Sequence, residues 1–218
     1  MGNEIFFLLD VLAVGAFAIG ALRFGKSALI SLIALNAILA NLFIAKQMDL
    51  FGLTVTCSDV FAVGGIFGLN LLQEFYGKEA AQKAIAISFF SLIFFVLVSQ
   101  VHLWYLPAEV DQTQSAFKTI FSWTPRIVIA SIVVYFIVQK IDVFLFGVLK
   151  ERFQGRWLSL RVGISLVVTQ GIDTVLFSFL GLYGFVSSLL DVMVVSFAIK
   201  CVVILASAPF AKLARKTV

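Results

Sequence analysis

Seven stretches of about twenty mostly apolar residues follow one another along the chain, separated by short polar breaks. A helix of that length crosses the hydrocarbon core of a bilayer, roughly 30 Å at 1.5 Å per residue. The 218 residues are 61% hydrophobic and only 13% charged, with a mean hydropathy of +1.09. That is more apolar surface than a soluble domain of this size can bury. Barrel strands would alternate apolar and polar residues, and these runs do not. The pattern predicts an all-α polytopic membrane protein, a single membrane domain over 1–218. Its seven helices fall at 5–22, about 28–45, 54–73, 84–104, 126–149, 158–181 and 187–209. The break with Asp49 and Gly52 reads as a short loop, and 107–125 as the longest one.

Charge sets the expected orientation. Glu4 and Asp10 lead the first stretch, and Arg23 and Lys26 follow it. It therefore reads as a retained helix with its N-terminus outside, not as a cleaved signal, which would start basic. With seven spans, one side collects Arg23, Lys26, Lys78, Lys83, Lys150, Arg152, Arg156, Lys212, Arg215 and Lys216. The other collects Lys46, Lys118 and Arg126. Ten against three is a positive-inside bias, placing the C-terminus in the cytoplasm of a cell inner membrane. The same charges account for a pI near 9.2 without a nucleic-acid partner. Cys57 and Cys201 sit in apolar context, and the lone His102 has no neighbour at metal-ligand spacing, so neither a disulfide framework nor a metal is expected.

Inside the apolar runs one motif occurs twice. Residues 139–149 and 170–180 both fit Q-x-I-D-x-x-L-F-x-x-L, so Gln139 and Asp142 recur as Gln170 and Asp173, 31 positions later. A carboxylate at mid-membrane costs roughly 2.5–3.5 kcal/mol on insertion scales unless it meets a partner or a wet cavity. Two antiparallel helices with Gln-x-x-Asp faces can meet at similar depth, as in transporters with internal repeats. Some other polar residues have plain explanations. Lys140 snorkels to the interface, Glu74 one turn before Lys78 makes an interfacial pair, Asn36 and Asn41 join helices, and Asp191 and Arg161 lie near span ends. Asp173 and Lys200 lie near mid-span, and two explanations stay open: a structural ion pair, or the lining of a substrate or proton path. The glycines at 64, 65 and 68 suit close helix approach or a helix break. No metalloprotease, serine-hydrolase or phosphate-loop signature is present, so no enzyme and no cofactor are expected.

Several residues resemble, in order and spacing, the queuosine precursor transporter family, also called the vitamin uptake transporter-like family. These are Asn41-Leu42 with Lys46; Glu74-x-Tyr76-Gly77; Arg126-Ile127 with Ala130-Ser131; Gln139-x-x-Asp142; Arg161 with Ser165; Gln170-x-x-Asp173-Thr174; and Lys200 with Pro209. The resemblance spans about 36–210, which implies a six-helix core preceded by an extra N-terminal helix at about 5–22. Where the family often has aspartate four residues before the glutamate, this chain has Asn70; where a tyrosine is common before the lysine, it has Phe197.

The resemblance implies a bacterial inner-membrane importer of 7-deazaguanine bases: the 7-cyano form, the 7-aminomethyl form, or queuine. The expected substrate-binding set is Asp173, Gln170, Asp142, Gln139, Lys200, Asn70, Glu74, Asn41, Arg126 and Arg161. A carboxylate can accept the N1–H and exocyclic amine of a guanine edge together, and an amide can serve the O6 and N7 acceptors. Phe144, Phe146, Phe177 and Tyr135 could stack on the ring. Asp173 is the expected holder of the base, with Asp142 orienting Arg161 or Lys200. A substrate-binding subunit of a multi-component uptake system is a second reading, and a membrane enzyme or assembly factor a third. The bilayer and a small-molecule nucleobase are the expected partners; a homo-oligomer is compatible with the sequence, and no energising partner is evident.

Overall fold

The computed structural model describes residues 2–44, 46–122, 125–184 and 189–217. Ala45 and residues 185–188, where two expected spans end or begin, lie outside the described residues, as do the side chains of Arg215 and Lys216. Seven long helices form: α1 (Asn3–Phe24), α2 (Lys26–Phe43), α3 (Asp59–Tyr76), α4 (Lys78–Trp104), α6 (Pro125–Arg152), α7 (Leu158–Phe177) and α8 (Leu189–Thr217). A short helix α5 (Gln114–Phe121) lies within the expected long loop, and α7 runs into a π-turn over Ser178–Leu182.

Single glycines make two of the reversals. Gly25 joins α1 to α2 at φ 102° and Gly77 joins α3 to α4 at φ 87°, a conformation that costs glycine little and other residues more. The expected loop after α2 is instead an antiparallel hairpin, β1 (Gln47–Leu50) paired with β2 (Leu53–Thr56). Phe51 and Gly52, both at positive φ, form its two-residue turn. The third helix therefore begins at Asp59, five residues later than expected. The hairpin tip is tied to the start of α1: Asn3 donates to the Asp49 carbonyl at 2.8 Å, and Glu4 accepts from the Phe51 amide.

The chain crosses the bundle seven times. α1 starts beside the hairpin, at what is here called the hairpin end. Tyr76, at the end of α3, reaches the Leu22 carbonyl at the opposite, tail end. Glu74, Lys150 and Arg161 gather the end of α3, the end of α6 and the start of α7 at the tail end. Arg126 joins the start of α6 to the π-turn at the hairpin end, donating to the Leu180 and Phe179 carbonyls. Six of the long helices are apolar enough to cross a membrane by length and composition; α3 is not among them.

That exception explains the architecture. The six apolar helices form a closed ring in the order α1, α2, α4, α6, α7, α8, each packed on the next, and α3 packs against all six from inside. It is buried along most of its length, whereas lipid-facing side chains such as Phe90, Phe94 and Leu97 of α4 are exposed. Gly64, Gly65 and Gly68 of α3 let the neighbours in: a Cβ at Gly64 would collide with Val14 of α1, one at Gly65 would touch Asn36, and one at Gly68 would lie 3.1 Å from Ile33 of α2. The central helix can be the most polar because protein, not lipid, surrounds it.

Candidate functional site

The polar residues of the interior form three tiers along the bundle axis. The tail-end tier is a clamp. Arg161 is 0% exposed. Its Nη1 and Nη2 donate to the two Glu74 oxygens at 3.0 and 2.7 Å. Nε donates to the Arg156 carbonyl at 2.8 Å and Nη2 also to that of Gly155 at 3.1 Å. The guanidinium lies 5.2 Å from the Phe146 ring centroid. Lys150 adds a 3.2 Å contact to Glu74 and a hydrogen bond to its carbonyl. Arg161 is therefore not at a wet span end, and it holds Glu74 together with Lys150. Phe146 is committed to Arg161, which leaves it unsuited to stacking on a ligand.

The middle tier is centred on Asp142. One carboxylate oxygen accepts from Asn70 Nδ2 of α3 and the other from Ser165 Oγ of α7. Asp142 thus orients neither Arg161 nor Lys200: Arg161 is held by Glu74 and backbone carbonyls, and Lys200 by Asp173 and Thr174. Gln73 Nε2 donates to the Val143 carbonyl at 2.9 Å. One turn along α6 towards the hairpin end lies Gln139, 1% exposed, with neither amide atom hydrogen-bonded. The Tyr135 hydroxyl faces Gln139 and Ser88 but completes no hydrogen bond with either. Gln170 Oε1, Asn70 Oδ1 and Gln73 Oε1 are also buried and unpartnered among the described residues. Buried polar atoms in native proteins are satisfied by protein, water or ligand, so this group of donors and acceptors is the strongest ligand-binding signal in the bundle.

The hairpin-end tier joins α7, α8 and α3. Lys200 Nζ donates to Asp173 Oδ2 at 2.6 Å and to Thr174 Oγ1 at 3.2 Å. Asp59, the first residue of α3, is 6% exposed, faces Ser196 of α8 and lies within electrostatic reach of both Lys200 and Asp173. An ion pair at mid-span is thus present.

The two copies of the Gln-x-x-Asp motif do not make equivalent contacts. With Asp142 opposite Ser165 on antiparallel helices, Gln139 and Gln170 fall within roughly 3 Å of the same depth, while Asp173 lies roughly 12 Å nearer the hairpin end than Ser165. The amides share a level; the aspartates do not. Asn41 sits at the hairpin end, accepting from Ser131 at 2.7 Å and donating to the Ala37 carbonyl, and Arg126 holds the π-turn as described. Phe144 is 66% exposed on the lipid side and cannot stack in the interior. Lys140 is exposed, with its ammonium over the Phe136 ring.

Tyr135 was legible only as an aromatic, and Ser88, Gln73 and Ser196 not at all. Arg161, Ser165 and Thr169 at i, i+4, i+8 form a polar stripe that marks the inner face of α7. Away from these tiers, a groove of about 970 Å³ lies between α4 and α5, lined mainly by apolar side chains such as Phe94, Phe117 and Phe121. In the loop beside it, hydrogen bonds from the Thr113 hydroxyl and amide hold the Asp111 carboxyl below the usual carboxylate range.

The family described as "Putative vitamin uptake transporter" matches residues 59–214, from the first residue of α3 to the last turns of α8. A protein of Bacillus subtilis (strain 168) named "Probable queuosine precursor transporter" is 35% identical over 199 residues, covering 89% of this chain and 86% of that protein. No solved structure matches. A family match over most of the length, a relative aligned nearly end to end and a ring of membrane-crossing helices around a polar axis agree: the chain belongs to the vitamin uptake transporter family.

Proposed function

We propose that the chain imports queuosine precursors, bases of the 7-deazaguanine class, acting as a carrier and not as an enzyme. The name of the Bacillus relative supports the substrate class. The observation that carries the reading to particular residues is the buried amide of Gln139, unpartnered at both ends, with Gln170 Oε1 at the same level. A 7-deazaguanine offers N1–H and an exocyclic amine as donors and O6 as an acceptor. Its position 7 is carbon, so the N7 acceptor of guanine is not available to an amide. The Gln139 amide can donate to O6, and amide and carboxylate oxygens can take the two donors. Asp142, one turn from Gln139, has lone pairs beyond those used by Asn70 and Ser165. This favours Asp142 over Asp173 for the base edge and leaves Asp173 with its lysine.

The remaining members of the set take supporting roles in this reading. Asn70 orients Asp142, Glu74 and Arg161 close the tail end, and Asn41 and Arg126 fasten the hairpin end. The charge distribution supports a hairpin end outside and a tail end in the cytoplasm of a bacterial inner membrane.

The experiment is uptake in cells unable to make queuosine, with the three candidate bases supplied in turn at sub-saturating concentration and the modification of tRNA read out. Expression of this chain is expected to restore modification, and Asp142→Asn to abolish it while the protein still reaches the membrane. Unchanged modification with every base would refute the reading.

A further inference from the structure

The hairpin-end tier holds more charge than an ion pair needs. Two carboxylates, Asp59 and Asp173, face one ammonium, Lys200, in a protein interior. With all three ionised the group carries one net negative charge, which a low-dielectric site disfavours. Lys200 lies eleven residues into α8, roughly 16 Å along the helix, comparable to half the thickness of a bilayer core. The tier is thus near mid-membrane. A strand hairpin normally cannot sit at membrane depth unless protein or a water-filled cavity covers its backbone. This one is packed between α1 and α8, directly before Asp59.

The groups facing Asp59 are Lys200 and Ser196 of α8, Asp173 of α7, and Cys57 at the base of the hairpin. Cys57 in turn lies within electrostatic reach of Asp10 of α1 and of Lys46. Lys46 is exposed at the surface and Asp10 half-buried. Lys46, Asp10 and Cys57 therefore lie on the hairpin side of Asp59, each within electrostatic reach of the next.

We propose that Asp59 is the proton-carrying group of a proton-coupled carrier. One proton leaves a hydronium in the hairpin-end solution, adds to a carboxylate oxygen of Asp59 and neutralises the net charge of the tier. It is returned to water when the interior opens at the tail end; no covalent bond of the substrate changes. Lys200 links this tier to Asp173 on α7, the helix that carries Ser165 and Gln170 of the middle tier, so occupancy of one tier is felt at the other. The inference rests on the carrier reading, and the test separates the two.

The full chain is reconstituted in phospholipid vesicles with radiolabelled 7-aminomethyl-7-deazaguanine as the probe. Substrate-for-substrate counterflow reports carrier function without a driving ion. For wild type, an inwardly directed proton gradient should drive accumulation of about tenfold per pH unit at one proton per base. A protonophore should abolish it, and a pulse of base should acidify the lumen, read with an entrapped pH dye. Asp59→Asn should keep counterflow and lose accumulation. If Asp59→Asn lacks counterflow as well, Asp59→Glu decides: it should keep counterflow and proton-driven accumulation with a shifted pH dependence, and an unshifted pH dependence would overturn the assignment. Wild-type counterflow with no response to the proton gradient, accumulation driven by sodium instead, or undiminished accumulation by Asp59→Asn would overturn the coupling and leave the carrier intact. Absence of wild-type counterflow would overturn the carrier reading itself, and the coupling with it.

Discussion

Replacing Gln139 with methionine separates binding from folding. In the structure the side chain is 1% exposed and neither amide atom has a hydrogen-bond partner. Leaving a buried polar atom unsatisfied costs about 1–3 kcal/mol. Methionine has a similar length, fills irregular space and makes no such demand. Gln139→Met should therefore leave the substrate-free protein as stable as wild type, or more stable by up to about 3 kcal/mol. If the amide donates to and accepts from the base, the variant loses two hydrogen bonds of about 0.5–1.5 kcal/mol each. That is about 1–3 kcal/mol, or roughly a 5- to 150-fold loss of affinity. Unfolding free energy is measured by steric trapping in bicelles without base, and affinity by equilibrium binding of labelled 7-aminomethyl-7-deazaguanine to the same preparation. A variant destabilised by more than about 1 kcal/mol that binds the base normally would show that Gln139 is a structural residue with partners, and the site would have to move elsewhere.

Other substitutions test other tiers. Arg161→Ala removes four hydrogen bonds and the bidentate partner of the Glu74 carboxylate; a loss of about 3–5 kcal/mol is expected by the same unfolding assay, with Arg161→Lys recovering only part of it because the fork geometry is gone. A loss below about 1 kcal/mol would mean that the clamp is incidental. Gly64→Ala pushes a Cβ into Val14 and should cost about 1–3 kcal/mol, whereas Gly20→Ala, with nothing within 4 Å, should be neutral or stabilising; equal effects would refute the close approach of α1 to α3. For orientation, Gln112→Cys and Gln154→Cys in a background without Cys57 and Cys201 should label from outside and from inside respectively, and labelling of position 154 from outside would invert the topology.

The crossing order is legible in the sequence because bilayer thickness fixes helix length, and the short breaks leave little choice of where each helix turns back. The hairpin is less legible. Leu53-Thr54-Val55-Thr56 after Phe51-Gly52 carries β-branched residues and a turn glycine, yet four-residue strands are too short for their alternation to stand out among apolar spans. The buried status of the tiers follows from the polar residues themselves: Asp142, Asp173, Lys200, Gln139 and Gln170 mark the inner faces of their helices. Their partners do not follow. The Q-x-I-D repeat marks two aspartates for unequal roles without naming what each meets: Asp142 meets Asn70 because the central helix passes there, while Asp173 meets Lys200 of the ring. Which side chains of the central helix meet which ring helix is a property of all seven packed together, and no local pattern encodes it.

The central position of α3 bears on how the protein is made. A helix with Asp59, Asn70, Gln73 and Glu74 within eighteen residues partitions poorly into lipid on its own. It reaches the bilayer after α1 and α2, whose inner faces complement its glycines, and before the rest of the ring exists. Its entry must then be held by two neighbours until α8, the last of the ring helices in chain order, closes the ring. Packing defects at α1 or α2 should accordingly surface as wrongly threaded chains during synthesis, with every later loop on the opposite side, even where the finished bundle would tolerate them.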